Sequence, residues 1–276
     1  MFLLPLQVRR TTPAMMPNLK EQFQRAIHVI PMNILTRDTL PNFGAWLDES
    51  RLTGGVLLVD KGVDWTSFDV VAKLRGITRI KKIGHAGTLD PLATGLLIVC
   101  CGPMTKRISE FQEQTKSYQA VVKLGATTKT DDREAAEENI LDISHITEAS
   151  IYAALEQFRG DIEQIPPMFS AIKKNGVPMY KLARKGVEIE RDVRHVSVYK
   201  LDVTKIEMPF VTLSIECSKG TYIRSLARDV GATLGVGGYL TALRRTHIGA
   251  FDVENAVGVA DISHAASVLA ESLKIL

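Results

Sequence analysis

Asp90 is the residue whose setting in this sequence most strongly suggests chemistry. It lies in the stretch GHAGTLDPLATGLL, among glycines and small residues and just before an apolar run. Pro91 disfavours helical geometry at the residue before it, which predicts an extended Asp90. Gly84 and Gly87 allow sharp backbone turns and the close approach of another molecule. A carboxylate held in this way beside a strand is suited to act as a nucleophile or as a general base.

Considered alone, the same stretch also has a purely structural interpretation. Asp-Pro is a frequent turn pair, and an aspartate in such a loop more often shapes the turn than takes part in a reaction. His85 in isolation is likewise more often a structural histidine than a functional one. The choice between the two interpretations therefore depends on the surrounding elements and on the rest of the sequence.

The hydrophobic pattern around Asp90 predicts elements that would hold it in place. The run GLLIVCCG predicts a buried strand, and KSYQAVVKLG alternates with the period of a half-exposed strand. Strands and helices mix without a regular βαβ rhythm, so we expect an α+β fold with a mixed, mostly antiparallel central sheet flanked by helices. The other predicted elements are a strand at GVLLVD, a helix from Ser67 with Phe68, Val71 and Leu74 on one face, a helix near 147–159, strands near 194–206, 210–217 and 246–253, a helix in GTYIRSLARDVGATLG and a helix near 258–274.

Composition limits the function classes that fit the chain. The 276 residues are 45% hydrophobic and 24% charged, which is ordinary for a soluble globular protein, and the net charge of +3 is only mildly basic. The three cysteines form no CxxC pair and no His/Cys cluster has zinc-ligand spacing, so a reducing compartment without structural zinc is expected. No apolar stretch reaches the roughly 20 residues of a spanning helix, and neither a G-x-G-x-x-G nor a Walker loop is present.

Residues 1–53 are poorly patterned and contain five prolines. We therefore expect an N-terminal extension, flexible or partly helical, before a folded region that begins at Gly54. Residues 1–20 carry basic but no acidic side chains, a feature of targeting peptides. The alternatives are an unstructured extension or an upstream start codon. We expect a cytoplasmic protein, with organellar targeting as the less favoured alternative.

Six separated blocks of the sequence resemble the TruB-type tRNA pseudouridine synthases, in the family's order, across most of residues 54–251. They are GGVLLVDKGVDWTS, KIGHAGTLDPLATGLL, KSYQAVVKLGATTKTDD, PPMFSAIKKNGVPMYKLARKG, CSKGTYIRSLARDVG and LRRTHIGAF. The resemblance implies a pseudouridine-synthase-like catalytic domain over 54–276, with a projecting RNA-gripping insertion at about 166–192. Only 25 residues follow Phe251, so we expect no C-terminal PUA domain of the kind that many bacterial members carry.

The resemblance also implies a reaction. Members of the family convert a uridine of the tRNA T-arm loop, U55, to pseudouridine after the base is flipped out of the loop. The aspartate of their GTLDP motif is the catalytic group, which corresponds to Asp90, and they need no metal, redox cofactor or nucleotide. Whether this aspartate attacks the sugar or deprotonates it stays open at this point. We therefore expect a monomeric isomerase whose partner is the T-arm of tRNA.

Further residues match positions of the family motifs. Tyr118 corresponds to a tyrosine that lies against the target base. Arg224 corresponds to an arginine paired with the catalytic carboxylate, whose pKa an adjacent positive charge lowers. His85 corresponds to the residue that fills the gap left by the flipped base. The remaining substrate-site candidates are Tyr222 and Leu243, which would line the base pocket, and Lys61, with a supporting or phosphate-facing role.

A basic cluster falls in the insertion, with Tyr180 among its members. Such a cluster suits an RNA phosphate backbone, although a run of lysines is more often a solvated loop. The RNA-binding candidates are Lys173, Lys174, Lys181, Arg184 and Lys185 in the insertion, with Arg244 and Arg245 near the C-terminal strand.

Two segments depart from the family pattern. The opening turn reads DKGVD over residues 60–64 in place of D-K-P-x-G, which predicts a looser or differently shaped turn. The stretch DDREAAEEN, residues 131–139, is more acidic than expected and predicts a solvated loop.

Two alternatives to a stand-alone tRNA-modifying enzyme remain. A guide-RNA-dependent synthase resembles the same family, but the expected lack of a PUA domain argues against it. A non-catalytic RNA-binding protein or tRNA-folding chaperone of the same fold is the other. The joint presence of Asp90, Tyr118 and Arg224 argues against lost chemistry.

Overall fold

The computed structural model describes residues 32–170, 173–174, 176–187 and 189–274. From Asn33 onward the chain forms one unit built on a large mixed sheet, so the predicted α+β class is confirmed. Among the described helices, none is long and apolar enough to cross a membrane. The alternative of a targeting peptide in residues 1–20 falls outside the described part of the chain.

The elements follow the predicted order, with several short additions. The strands are β1 (Ile34–Leu35), β2 (Gly55–Lys61), β3 (Ile83–His85), β4 (Thr94–Cys101), β5 (Lys116–Leu124), β6 (Thr127–Thr128), β7 (Glu137–Glu138), β8 (Gly160–Gln164), β9 (Lys173–Lys174), β10 (Val177–Pro178), β11 (Arg194–Glu207), β12 (Phe210–Cys217), β13 (Gly238–Ile248), β14 (Phe251–Asp252) and β15 (Val257–Gly258). The helices are α1 (Phe43–Leu52), α2 (Ser67–Thr78), α3 (Ile108–Gln112), α4 (Glu148–Glu156), α5 (Met179–Ala183), α6 (Ile223–Thr233) and α7 (Val259–Ser272).

Within the described residues, 11 strands form one sheet in the order β1-β2-β4-β13-β5-β12-β11-β8, with β3 beside β4, β14 beside β13 and β15 beside β2. Neighbours run antiparallel except for three parallel pairs, which are β1 with β2, β4 with β13, and β2 with β15. Strand β4 is buried along almost its whole length, as its continuous apolar run predicts. The loop that carries Asp90 therefore leads directly into the centre of the sheet.

Helices cover the sheet and create two hydrophobic clusters. One contains Leu226 and Val230 of α6 together with Leu213 of β12. The other joins α1 and α2 to β2 and β4 and contains Trp46 and Leu74. Burial of apolar side chains is the main stabilising term in folding, so these clusters fix the loops between the elements.

Helix α2 begins at its capping residues. The Thr66 hydroxyl accepts a hydrogen bond from Asp69 N at 3.0 Å, and the Asp69 carboxylate accepts one from Thr66 N at 2.9 Å. Val71 and Leu74 are buried as predicted, whereas Phe68 is 68% exposed. The predicted apolar face was therefore wrong at Phe68, which turns toward solvent on the first turn of the helix.

The folded region begins earlier than the predicted boundary at Gly54. Strand β1 pairs in parallel with β2, opposite Val56, and helix α1 buries Phe43 and Trp46. Long-range pairing orders these short elements, and the prolines around them hide any local periodicity. Long-range pairing with β4 and β5 likewise orders β13, which starts at Gly238 rather than near 246.

Candidate active site

Asp90 lies in the loop between β3 and β4, and neighbouring groups hold that loop in place. Ser67 Oγ accepts a hydrogen bond from Leu89 N at 2.9 Å and donates one to Leu89 O at 3.2 Å. The Pro91 carbonyl accepts a hydrogen bond from Asp64 N at 2.9 Å. The Asp90 side chain is 35% exposed and opens into a cleft of about 790 Å³. The structure thus presents one fixed carboxylate to a large open space.

Arg224, on the first turn of α6, is the cationic partner of Asp90. Its Nε lies 3.0 Å from Asp90 Oδ2. Its two other nitrogens donate hydrogen bonds to Thr130 O at 3.0 Å and Phe169 O at 2.8 Å. Nε has no well-aligned hydrogen-bond acceptor among the described residues, so its contact with Asp90 is an ion pair without hydrogen-bond geometry. The arginine is therefore fixed beside the carboxylate by backbone carbonyls.

A second acid, Asp132, shares this guanidinium. Asp132 Oδ2 lies 3.4 Å from Arg224 Nη1, and Oδ1 accepts hydrogen bonds from Thr130 Oγ1 at 2.6 Å and Glu134 N at 3.0 Å. Asp132 is buried, so the prediction of a solvated loop over 131–139 was wrong at its first residues. The pairing with a distant arginine explains the burial, because a charged group leaves water only when it is paired.

The sequence contained one signal for Asp132. The block KSYQAVVKLGATTKTDD, which resembles the family, ends with Asp131 and Asp132. The acidic residues that follow favour a solvated loop instead.

The pKa of Asp90 is raised, with burial as the largest cause. Arg224 and Lys61 lower it, and the negative charge of Asp132 raises it further. The lowering expected from Arg224 is thus present, but the loss of water around the carboxylate outweighs it. Asp90 ionises less readily than an aspartate in water, and its carboxylate is correspondingly more basic.

Lys61 is fully buried beneath the Asp90 loop. Its Nζ donates hydrogen bonds to the carbonyls of Gly62 at 2.9 Å, Trp65 at 2.6 Å and Pro91 at 3.3 Å. Burial lowers the pKa of Lys61 to about 8, while Asp90 and other carboxylates oppose that shift. Because none of its surface is accessible, Lys61 takes the supporting role and does not face a phosphate.

The cleft beside Asp90 has an aromatic and apolar wall. Tyr118 of β5, Tyr222 at the start of α6 and Leu243 of β13 all line it. The Gln164 side chain accepts a hydrogen bond from Tyr222 N at 2.7 Å and donates one to Tyr222 O at 3.0 Å. Burial raises the pKa of Tyr118 to about 12, so its hydroxyl stays protonated at neutral pH. A flat, partly buried ring near a basic carboxylate suits a planar, polar ligand.

Comparison with known families shows which family this chain belongs to. A sequence model of the TruB family pseudouridylate synthase N-terminal domain matches residues 75–223. A second model, of the tRNA pseudouridylate synthase B C-terminal domain, matches residues 224–274. The chain belongs to the TruB family of pseudouridylate synthases. The two matches meet at Arg224, the residue that pairs with Asp90 across the cleft.

Curated relatives and a solved structure agree with membership of the TruB family. The chain is 47% identical over 218 residues to tRNA pseudouridine synthase B of Flavobacterium johnsoniae, covering 76% of this chain and 95% of the relative. It is 49% identical over 218 residues to the protein of the same name from Chlorobium chlorochromatii, covering 77% and 86%. A solved H/ACA RNP bound to a substrate RNA containing 2′-deoxyuridine aligns with a TM-score of 0.62 at 26% identity, over 82% of this chain. This chain spans 57% of that solved chain, which is less than two thirds of its length.

Two adjacent arginines of this TruB protein lie on opposite faces of β13. Arg245 is buried, donates hydrogen bonds to Leu96 O at 2.7 Å and Gly87 O at 3.1 Å, and lines the Asp90 cleft. Arg244 is held by Asp60 through contacts of 3.0 and 2.8 Å and is not among the residues that line the cleft. Successive side chains of a strand point to opposite faces, so these two RNA-binding candidates lie on different sides of the sheet. An RNA contact by Arg244 stays a prediction.

Asp64 stands where the TruB pattern has a glycine. Its φ is +64°, in the left-handed region that glycine adopts without steric cost and that aspartate tolerates better than most residues. The hydrogen bonds that Asp64 N and Lys61 Nζ donate to Pro91 O tie this turn to the Asp90 loop. The opening turn is therefore attached to the Asp90 loop, and a looser or different shape relative to the family stays a prediction.

His85 lies outside the cleft lining in this TruB structure. It is half-buried on β3, and among the described residues its Nδ1 has no hydrogen-bond partner. Burial, followed by the nearby Arg245, lowers the pKa of His85, so the ring is neutral at physiological pH. Its role in filling the space of a flipped base stays a prediction.

The described residues of the insertion include two short paired strands and one short helix. Strand β9, which holds Lys173 and Lys174, pairs with β10, and α5 follows directly. Lys181 and Arg184 are exposed, and the Arg184 guanidinium lies 5.7 Å from the centre of the Tyr180 ring. The exposed members of this basic cluster, Lys181, Arg184 and Lys185, are available to an external ligand. Their contact with RNA stays a prediction.

Proposed function

We propose that this TruB protein isomerises the uridine at position 55 of the tRNA T-arm loop to pseudouridine, with Asp90 as the catalytic group. The observation that carries the proposal is the Asp90–Arg224 ion pair at 3.0 Å in the wall of a 790 Å³ cleft. The relatives named tRNA pseudouridine synthase B support tRNA as the substrate. The reaction needs no metal, redox cofactor or nucleotide, and the enzyme acts as a monomer.

The reaction is an isomerisation, so every atom of the uridine is kept. The bond between C1′ and N1 breaks, the uracil reorients, and C5 bonds to C1′. The proton on C5 is then lost, and N1 carries a proton in the product. Asp90 starts the reaction as a carboxylate, either by attack on C1′, from which C5 later displaces it, or by removal of the C2′ proton, which it returns to C2′ when C5 bonds to C1′. In both routes Arg224 holds the carboxylate beside the sugar and stabilises its charge.

The target base enters the cleft by leaving its stack in the RNA loop. Base flipping costs on the order of a few kcal/mol, which a stacking partner in the pocket offsets in part. Tyr118 supplies an aromatic face, while Leu243 and Tyr222 close the wall around it. His85 fills the vacated position in the RNA loop after a movement that brings it out of its half-buried site.

The basic insertion grips the RNA backbone. Lys181 and Arg184 are exposed, and Lys173 and Lys174 lie on the paired strands of the same segment. Phosphate contacts of this kind supply affinity without sequence readout. Recognition of position 55 then depends on the shape of the T-loop and on the pocket around Asp90.

A single-turnover assay with in vitro transcribed tRNA tests the proposal, with pseudouridine mapped chemically. We expect product at position 55 without any added guide RNA. Asp90→Asn, which keeps the size of the side chain, should bind tRNA with near-normal affinity and form no product. A U55C transcript is the matched substrate control. Residual turnover of Asp90→Asn within tenfold of the parent would exclude Asp90 as the catalytic group.

The same assay separates the alternatives. Tight tRNA binding with no product from the parent enzyme would identify a non-catalytic RNA-binding protein or tRNA-folding chaperone. Product that appears only after a guide RNA is added would identify a guide-dependent enzyme. Product at another uridine would keep the chemistry and overturn the assignment of the site.

A further inference from the structure

Two arginines one helical turn apart on α6 make parallel sets of contacts. Arg224 binds Asp132 and the carbonyl of Phe169. Arg228, four residues further along, binds Asp131 at 3.0 Å and the carbonyl of Ile165 at 3.0 Å. Residues four apart lie on the same face of a helix, so the two side chains are neighbours. Each arginine therefore ties one acid of the 131–132 pair to one carbonyl of the 165–169 segment.

The Arg228 contacts are made by well-enclosed groups. The side chains of Arg228 and Asp131 are 25% and 15% exposed, and Arg228 Nε also lies 2.8 Å from Asp229 Oδ1. Asp131 has a φ of +57°, a left-handed conformation that a non-glycine residue adopts only when its surroundings hold it there. Ion pairs at fully exposed sites contribute little, whereas this pair is partly shielded and fixed in geometry.

The 165–169 segment forms the base of the insertion and is held by this end of α6. Ser225 Oγ donates a hydrogen bond to Ile165 O at 2.8 Å, and Arg228 donates to the same carbonyl. Across the segment, Arg191 donates to Pro166 O at 3.1 Å. The place where the insertion leaves the fold is thus attached to the helix that carries Arg224.

We propose that Arg228 and Asp131 are positioning residues that couple the base of the insertion to the Asp90–Arg224 ion pair. Arg228 binds Asp131, and the next residue in the chain, Asp132, binds Arg224. The position of Arg228 therefore influences the position of Asp132. Arg228 also donates a hydrogen bond to the carbonyl of Ile165. That residue lies four positions before Phe169, whose carbonyl accepts a hydrogen bond from Arg224. When the insertion docks on RNA, this network keeps Arg224 aligned on the carboxylate. Neither positioning residue touches the substrate.

The expected size of the effect follows from the geometry of catalysis. A misplacement of about 1 Å from a change outside the reacting groups can cost up to about 100-fold in rate. We therefore expect about a tenfold loss of single-turnover rate when Arg228 is removed. The affinity for tRNA should change less than about twofold, because the phosphate-binding cluster lies elsewhere in the insertion.

Three variants test the coupling, and the inference rests on the proposed tRNA reaction. Arg228→Met keeps the aliphatic length and removes the ion pairs. Arg228→Lys keeps the charge, and Asp131→Asn keeps a residue that tolerates the left-handed conformation while removing the charge. Arg159→Met is the matched control, since Arg159 pairs with Glu156 and Asp202 on the exposed surface. Single-turnover rate, tRNA dissociation constant and melting temperature are measured for each, and for the double variant Arg228→Met with Asp131→Asn.

The result that supports coupling is a rate loss at Arg228→Met with unchanged affinity and partial recovery in Arg228→Lys. The double variant should then be no slower than Arg228→Met alone, because both changes break one link. Parental rates in all variants would overturn the inference, as would a parallel loss of rate, affinity and melting temperature. If the parent enzyme itself forms no product at position 55, the proposed function fails instead, which separates the two outcomes.

Discussion

Asp90 and Asp132 share one counter-ion, the guanidinium of Arg224. The Arg224 nitrogens lie 3.0 Å from Asp90 Oδ2 and 3.4 Å from Asp132 Oδ2. The negative charge of Asp132 raises the pKa of Asp90, which the shared cation only partly offsets. Asp132 is buried and hydrogen-bonded on its other oxygen, whereas Asp90 opens into the cleft. The arrangement therefore leaves Asp90 as the carboxylate that faces the cleft, with a raised pKa.

The acid side of the pH–rate profile should report Asp90. Burial is the main cause of the raised pKa of Asp90. As the pH is lowered, the single-turnover rate should therefore fall with a midpoint pH above the ordinary aspartate pKa of about 3.9. Asp132→Asn removes a negative neighbour, so Asp90 ionises more readily and the midpoint should move to lower pH. Rapid-quench measurements of the parent and of Asp132→Asn, over the pH range in which both stay folded, give the two midpoints. A midpoint that stays in place or rises in Asp132→Asn would contradict the shared counter-ion.

Asp90→Asn should be more stable than the parent at neutral pH although it is inactive. The raised pKa means that the folded state binds a proton more tightly than the unfolded state does. This contribution is most favourable below the unfolded pKa and is lost as the pH rises through the folded value. At pH 7 the ionised Asp90 therefore costs stability, which the neutral amide avoids. Urea denaturation at pH 7 should show a higher midpoint for Asp90→Asn, and a lower midpoint would contradict the raised pKa.

Lys61→Met should destabilise the fold, by about 2 kcal/mol at pH 7, because three carbonyls lose a charged donor. The cost should grow with pH. The folded pKa of Lys61 is about 8, below its usual value of 10.5, so in this window the unfolded state binds more protons. The parent consequently gains stability as the pH rises from 8 to 10.5, and the variant lacks that gain. Denaturation at pH 7 and pH 9.5 measures the difference, and an unchanged or smaller cost at pH 9.5 would count against this account.

The turn at Asp64 should distinguish glycine from alanine. Asp64 has a φ of +64°, where alanine is disfavoured by about 1 kcal/mol or more and glycine is not. We expect Asp64→Ala to be less stable than Asp64→Gly by about 1 kcal/mol. Asp64→Asn is the control, because asparagine tolerates the same conformation and removes only the charge. Equal stabilities of the alanine and glycine variants would show that the backbone at this turn can relax.

The salt dependence of tRNA binding should show which basic residues contact the RNA phosphates. Replacing both Lys181 and Arg184 by alanine should weaken binding and flatten the plot of log affinity against log salt by about 1 per lost phosphate contact. Lys173→Ala with Lys174→Ala should act in the same direction. Arg159→Ala is the comparison, because Arg159 pairs with Glu156 and Asp202 on an exposed surface outside the insertion. Unchanged slopes in both insertion variants would remove the gripping role.

Much of the candidate site could be predicted from local sequence. The motif around Asp90, the alternating strand that carries Tyr118 and the helix that begins near Arg224 each follow from residues close together in the chain. The capping pair of Thr66 with Asp69 likewise determines where α2 begins. These features depend on backbone preferences and hydrophobic period, which neighbouring residues set.

Only the tertiary structure decided which charges are buried and how they pair. Asp131 and Asp132 were predicted to be solvated, and Arg244 and Arg245 were both predicted only as RNA-binding candidates. Burial of Asp132 depends on Arg224, which reaches it from a helix far along the chain, and the face of each arginine depends on the register of β13 against β4 and β5. The sequence by itself thus determined the family, the candidate catalytic carboxylate and the order of the elements. The long-range contacts determined the basicity of that carboxylate, because desolvation and counter-ions act through space rather than along the chain.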